Sequence, residues 1–217
     1  MRAKTADFAA SLGLELAPEQ LDTLVRYADL VWEKKDFLNL TSVANKEEIF
    51  TRHICDGLAA AAFFHRAAQG KERFTVADMG AGAGYIGLAC AAVLPRAGVT
   101  LVESLEKRCS FLNWAVLKLA LKNVRVLNRR LGQQKAGPFD FITERAMGQI
   151  NDILPLLAPA LAAGGVLAAY QSAPDEAQED LLRRLGLRRE TPVSYRLPGE
   201  EKQRYLAVFA ADTGDAA

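Results

Sequence analysis

Along the first third of the chain, apolar residues recur at helical spacing. Leu21, Leu24, Val25, Ala28, Val31 and Trp32 fall on one face of a helix that Pro18 opens, where a proline forfeits no intrahelical hydrogen bond. A polar stretch, Asn39-Leu40-Thr41-Ser42, interrupts the pattern. Asn45, with Glu48 three residues on, then forms a capping pair for a second helix through the Ala59 to Phe64 region. From Phe74 the pattern changes to short β-rich runs. Phe74-Asp78, Val99-Glu103, Val124-Leu127, Phe139-Thr143 and Val166-Tyr170 read as strands, with helices between them over 85–94, 105–121 and 149–161. Strand and helix in alternation imply a parallel sheet with right-handed crossovers and helices on both faces. After a charged helix near 175–185, Val193-Tyr195 and Arg204-Phe209 predict two antiparallel strands at the sheet edge, joined through Pro198-Gly199. The expected architecture is α/β: a doubly wound, mostly parallel sheet over 71–217, with a helical extension over 1–70 packed on it.

Composition narrows the class. The chain has 217 residues, of which 50% are hydrophobic and 24% charged, values of an ordinary globular protein rather than a disordered one. The uncharged run from Ile153 to Pro174 is broken by Pro155, Pro159 and Gly164-Gly165, so it predicts a helix followed by a buried strand and not a membrane span. Cys55, Cys90 and Cys109 form no C-x-x-C pair and have neither His53 nor His65 at ligand spacing, so no metal site is expected. Each cysteine sits in an apolar stretch as a small buried hydrophobe, and a cytoplasmic location is the simplest expectation.

The candidate chemistry lies where the first strand hands over to its helix, at Asp78-Met79-Gly80-Ala81-Gly82-Ala83-Gly84-Tyr85. In an open α/β sheet, ligands bind beyond the carboxyl ends of the strands at the switch point, and glycines there let the backbone approach a ligand closely. Glu103 ends the second predicted strand, placed to accept hydrogen bonds from both hydroxyls of a ribose. Two cofactors fit this pair. Gly82-x-Gly84-x-x-Gly87 satisfies the dinucleotide fingerprint. Asp78-x-Gly80-x-Gly82-x-Gly84 is the order found in methyltransferases that use S-adenosylmethionine, and the second mononucleotide half a nicotinamide would need is not evident, which favours S-adenosylmethionine.

Around this loop the chain resembles the RsmG (GidB) family of bacterial enzymes, which methylate N7 of a guanine in 16S ribosomal RNA. The resemblance begins at Asn39-Leu40-Thr41, continues through Arg52-His53-x-x-Asp56 and the glycine loop, and is most specific in Leu101-Val102-Glu103-Ser104-x-x-Lys107-Arg108-x-x-Phe111-Leu112. It extends to Phe139-Asp140, Arg145-Ala146 and Arg204-Tyr205-Leu206-x-Val208, covering nearly the whole chain. It implies the class I S-adenosylmethionine-dependent methyltransferase fold. It also implies cofactor contacts at Asp78, Gly80, Gly82, Gly84 and Tyr85, ribose contact at Glu103, adenine contact at the Leu131-Gly132 backbone, and Arg145 at the cofactor edge. The chain departs from the family pattern at Ile86 for proline, Gly57 for serine, Gly132 for an acid, and Tyr170-Gln171 for Lys-Gly.

Local charge then becomes informative. Residues 104–135 carry eight basic side chains against one acid, Glu106, in a chain whose net charge is +1. Lys107, Arg108, Arg129 and Arg130, with Arg204 from the last strand, are the candidate contacts to the 16S RNA or small ribosomal subunit. Lys118 and Lys122 fit a solvated helix face equally well. A second cluster, Arg183, Arg184, Arg188 and Arg189, has acids around it and reads as surface. His53 and Asp56, one turn apart, read either as an acid/base pair or as a contact docking the helical extension. A structural histidine is the commoner case, and the family resemblance leaves that balance unchanged. Guanine N7 has a lone pair and no proton, so the implied reaction needs no general base. Arg145 and Arg130 are the candidate catalytic residues, acting by alignment rather than proton transfer. The rival readings are a methyltransferase of another RNA or a small molecule, a cofactor-binding protein without turnover, and a nicotinamide-dependent oxidoreductase.

Overall fold

The computed structural model describes residues 2–38, 43–132, 136–173 and 177–213. The Asn39-Leu40-Thr41 motif and Lys135 lie outside them. Helices α1 (Arg2–Ser11) and α2 (Pro18–Leu38) come first. A helical rod follows, made of α3 (Lys46–Glu48), a π-helical turn (Ile49–Ile54) and α4 (Cys55–Ala67). Its capping pair is in place, with the Glu48 amide donating to Asn45 Oδ1 at 3.0 Å. In α2 the face set by Leu24, Ala28 and Val31 is fully buried. Helix α4 is apolar nearly all round because it is covered on all sides, α5 included.

Strands β1 (Phe74–Met79), β2 (Ala97–Glu103), β3 (Val124–Asn128), β4 (Phe139–Glu144), β5 (Leu161–Gln171), β6 (Leu187–Arg196) and β7 (Gln203–Ala211) form one sheet in the order β3-β2-β1-β4-β5-β7-β6. The first five run parallel, and β7 inserts antiparallel between β5 and β6. Helices α5 (Tyr85–Val93), α6 (Glu106–Leu119), α7 (Ile150–Leu157) and α8 (Glu179–Arg184) complete the chain. The chain starts mid-sheet at β1, moves out to β3 and returns to β4, so the switch point lies at the carboxyl ends of β1 and β4. One apolar cluster runs from Phe8, Leu24 and Ile54 through Phe64 to Val76, Val99 and Leu101, joining the N-terminal helices to the sheet.

Three elements differ most from the sequence reading, while β2, α6 and β7 differ by one or two residues at their ends. Strand β5 begins at Leu161 rather than Val166, because Ala162-Ala163-Gly164-Gly165 carries no β-branched signal. There Phe139 pairs with Leu161 but Phe141 with Val166, a bulge that Gly165 permits: a Cβ on it would stand 2.9 Å from the Phe139 carbonyl oxygen. Helix α7 ends at Leu157 and a 3₁₀ turn, Ala158–Ala160, follows. Strand β6 starts at Leu187, earlier than Val193; its charged Arg188, Arg189 and Glu190 suit a sheet edge, which charge protects from further pairing. Among the described residues no helix is long and apolar enough to cross a membrane.

Candidate active site

At the carboxyl end of β1 the chain turns through Gly80, Gly82 and Gly84 with φ of 70°, 59° and 85°, a region that a side chain disfavours. The turn is tied to β2 by its own backbone, since the Gly80 and Ala81 amides both donate to the Val102 carbonyl, at 2.9 and 3.0 Å. Glu103, 5% exposed at the end of β2, reaches back: its Oε2 accepts from the Gly82 amide at 2.8 Å, and its Oε1 from the Ser104 and Leu105 amides at 2.8 and 2.9 Å. Oε2 therefore keeps a lone-pair direction for a further donor.

Asp78 has a different task. It is buried, and its Oδ2 accepts from the Gly87 amide at 2.8 Å, fastening β1 to the first turn of α5. Burial pushes its carboxyl up to about 7 despite that hydrogen bond. A Cβ on Gly87 would stand 2.2 Å from Leu101 Cδ2 and 2.9 Å from Asp78 Cβ, so the contact requires glycine. Beside it, Glu144 ends β4, also buried, and its Oε2 accepts from the Met147 amide at 3.3 Å. Burial, with Asp78 nearby, lifts Glu144 to about 7. The turn it holds contains Ala146 at φ 64°, a strained position for a residue with a side chain.

Arg145 begins that turn. Its Nη1 donates to Asp56 Oδ2 at 2.9 Å and lies 3.4 Å from His53 Nδ1. The His53 ring stacks on Tyr85 at 4.3 Å between centroids, and the Arg145 guanidinium stands 5.4 Å from the centre of the same Tyr85 ring. Burial, reinforced by Arg145, Arg52 and Arg204, depresses His53 to about 3, so it is a neutral ring at working pH and not a general acid. Asp56 also accepts from Arg204 Nη1 at 3.2 Å and from the Tyr195 phenol at 2.6 Å. His53 and Asp56 thus join the N-terminal helices to the strand ends as the docking reading expected.

Two cavities open on these groups. One of about 250 Å³ is lined by Gly80, Glu103, Arg129, Arg130, Leu131 and Leu156, among others. The other, of about 460 Å³, is lined by Arg145, Tyr170, Tyr195, Lys202, Arg204 and Asp56 among others. A larger cavity of about 680 Å³ lies at the amino ends of β1 and β2, beside Arg73, Arg96 and Lys122, at the opposite edge from the glycine loop.

The sequence candidates divide accordingly. Gly80, Glu103, Leu131, Arg129 and Arg130 line the 250 Å³ cavity; Arg145 and Arg204 line the 460 Å³ cavity. Gly132 stands next to the 250 Å³ cavity, where a Cβ would lie 3.2 Å from Leu156 Cδ2, one of its lining residues. Asp78, Gly82, Gly84 and Tyr85 line neither cavity and shape the loop from beneath. Lys107 is exposed and Arg108 is 3.9 Å from Glu103. Arg125, one of the eight basic residues of 104–135, donates to Thr100 Oγ1, and Arg183, Arg188 and Arg189 pair with Asp180, Glu190 and Glu179, as the surface reading expects. Met147, Leu156, Tyr195 and Lys202 were not legible as site residues, being single residues in apolar or charged runs without a motif. Tyr170, a departure from the family pattern, donates its phenol to the Asp56 carbonyl at 2.6 Å, a bracing contact. Gly57, another departure, faces α5 so closely that a Cβ would lie 2.5 Å from the Tyr85 carbonyl oxygen.

Residues 20–198 match the family model described as GidB, rRNA small subunit methyltransferase G. The chain belongs to the GidB family. Ribosomal RNA small subunit methyltransferase G of Limosilactobacillus reuteri (strain DSM 20016) is 32% identical over 210 residues, 92% of this chain and 86% of that protein. The protein of the same name from Carboxydothermus hydrogenoformans is 31% identical over 218 residues, 96% of this chain and 91% of its own length. Among solved structures, magnesium protoporphyrin IX methyltransferase from Synechocystis PCC 6803, with bound SAH, superposes with a TM-score of 0.60 at 13% identity, covering 86% of this chain and 100% of that one. A SAM dependent methyltransferase from Aquifex aeolicus superposes at 0.52 with 20% identity, over 69% of this chain and 88% of that one. These two share the fold: the GidB-family sheet is that of a class I S-adenosylmethionine-dependent methyltransferase.

Proposed function

We propose that this GidB-family chain transfers a methyl group to N7 of a guanine in 16S ribosomal RNA, with the adenosine part of S-adenosylmethionine in the 250 Å³ cavity and the acceptor base entering the 460 Å³ cavity. The chain is an S-adenosylmethionine-dependent ribosomal RNA methyltransferase, and its residues fit that cofactor. Glu103 offers a free acceptor direction at the strand end where a ribose would lie, Leu131 and Leu156 offer apolar contacts for an adenine, and the Gly80 backbone comes close without a Cβ. Bound there, S-adenosylmethionine supplies an activated sulfonium methyl.

The chain's own work is alignment. Guanine N7 attacks with a lone pair and releases no proton, so a general base is unnecessary. Arg145 stands at the turn between the two cavities and is held by Asp56. Arg130 and Arg129, exposed or partly so beside the 250 Å³ cavity, are placed to meet phosphates, and Lys202 and Arg204 line the 460 Å³ cavity. The observation that carries this reading is the Glu103 carboxylate bound to the Gly82 amide at 2.8 Å beside the smaller cavity in a chain of this family.

The test is methyl transfer from labelled S-adenosylmethionine to small subunits lacking the modification and to naked 16S RNA in parallel, with the product nucleoside identified by mass spectrometry. The expected product is 7-methylguanosine. Cofactor binding without transfer to either substrate would overturn the ribosomal assignment.

A further inference from the structure

Asp56 is 1% exposed on the first turn of α4, where an unpaired carboxylate would be costly. Four groups from the other side of the molecule converge on it. Arg145, from the turn after β4, and Arg204, from β7, share its Oδ2 at 2.9 and 3.2 Å; Tyr195, from β6, takes its Oδ1 at 2.6 Å; Tyr170, from β5, takes its backbone carbonyl at 2.6 Å. All five residues line the 460 Å³ cavity. The arrangement continues outward, since Arg204 Nη2 donates to Glu200 at 2.9 Å and Arg52, on the π-helical turn, meets Glu200 at 3.3 Å.

A network serving stability alone would have little need of this design, because a buried ion pair adds little over well-packed apolar groups of the same size. What the design does accomplish is to bring two guanidinium groups to one wall. Their side chains remain 24% and 26% exposed while the carboxylate that holds them is sealed beneath. With three donors on its two oxygens, Asp56 is occupied in orienting the groups around it.

We propose that Asp56 is the positioning residue of the acceptor cavity: through one carboxylate it fixes Arg145 and Arg204 as a pair oriented to receive the phosphate-flanked nucleotide that is methylated. The inference rests on the RNA methyltransferase reading above. Asp56 touches neither cofactor nor acceptor in this scheme; it acts through the arginines.

The experiment compares wild type, Asp56→Asn, Arg145→Ala and the double variant in single-turnover methyl transfer to unmodified small subunits at saturating cofactor, with S-adenosylhomocysteine affinity and thermal melts measured alongside. Misplacing an aligning group costs about a hundredfold in rate. Asp56→Asn is expected to lose transfer by about that factor, to hold the cofactor within about threefold of wild type, and to add little to Arg145→Ala, since both variants break one unit. Tyr195→Phe removes a single hydrogen bond to Asp56 with the ring retained. It covers the case in which Asp56→Asn does not fold, and is expected to slow transfer about fivefold with a melt that falls modestly, because Asp56 Oδ1 loses its donor, and that leaves the protein folded at the assay temperature. Transfer within threefold of wild type in Asp56→Asn, or within twofold in Tyr195→Phe where Asp56→Asn does not fold, or losses that multiply in the double variant, would overturn the proposal. An inactive wild type would instead overturn the substrate reading, and the proposal with it.

Discussion

The phenol of Tyr27, in the middle of α2, donates to the backbone carbonyl of Ala83 in the glycine loop at 2.8 Å. Both groups are buried, and the Tyr27 ring lies 6.2 Å from that of Tyr85 at the start of α5. The helical extension therefore reaches the loop proposed to cradle the cofactor. Tyr27→Phe leaves the Ala83 carbonyl without that donor, at a cost of about 1 to 2 kcal/mol, and frees the loop between Gly82 and Gly84. The expected result is a lower melting temperature together with severalfold weaker S-adenosylmethionine binding by calorimetry. A melt that falls while affinity stays at the wild-type value would separate the two.

Glu103 accepts three backbone amides, and in the proposed complex it also accepts from the ribose. Glu103→Gln preserves size but turns an NH2 group toward one set of donors, so it both loosens the Gly82 contact and removes a charged acceptor. Cofactor affinity is expected to fall by about tenfold or more, a loss of about 1.4 kcal/mol at least. Equilibrium binding of S-adenosylhomocysteine checks this without any RNA.

How far the sequence carried depends on how local each signal is. The glycine loop and Glu103 are legible because strand end, loop and helix start are contiguous, so position on the chain translates directly into position at the sheet edge. The parallel pairing of the first five strands follows from the same alternation, whereas their order, with β1 beside β4, is set by tertiary packing. The Asp56 network is different. Its donors lie 89, 139 and 148 residues away at Arg145, Tyr195 and Arg204, and no spacing along the chain records that they meet. The sequence pairs only His53 with Asp56, because the two share a helical turn, and in the structure Arg145 is the group that reaches both. Strand β6 was recognised only over Val193-Tyr195, since the charged residues before them have no apolar alternation and their pairing with β7 is a tertiary fact.

Gly57 shows a departure from the family pattern acquiring a physical reason. A Cβ there would come within 2.5 Å of the Tyr85 carbonyl oxygen and 2.6 Å of Ala89 Cβ, both on α5. Gly57→Ser therefore overpacks the α4 to α5 contact and is expected to destabilise the protein by about 2 kcal/mol, despite improving helix propensity. Urea denaturation checks it. A gain in stability would show that the two helices separate readily.

Asp78 and Glu144 make stability depend on pH in a direction unusual for carboxylates. Both are held near 7 by burial, whereas in the unfolded chain they ionise near 4. Between those values the folded state binds more protons than the unfolded state, so their contribution is fully present below about pH 4 and is lost as pH rises through 7. Glu144→Gln carries no charge at any pH and retains an oxygen for the Met147 amide. It is expected to lie close to wild type in stability near pH 4.5 and to exceed it by about 3 kcal/mol at pH 8, the difference opening between those limits. Urea midpoints of both proteins across that range provide the measurement. A difference independent of pH would mean that Glu144 is already ionised in the folded protein at the low end, and that the turn carrying Arg145 rests on a charged carboxylate rather than a neutral one.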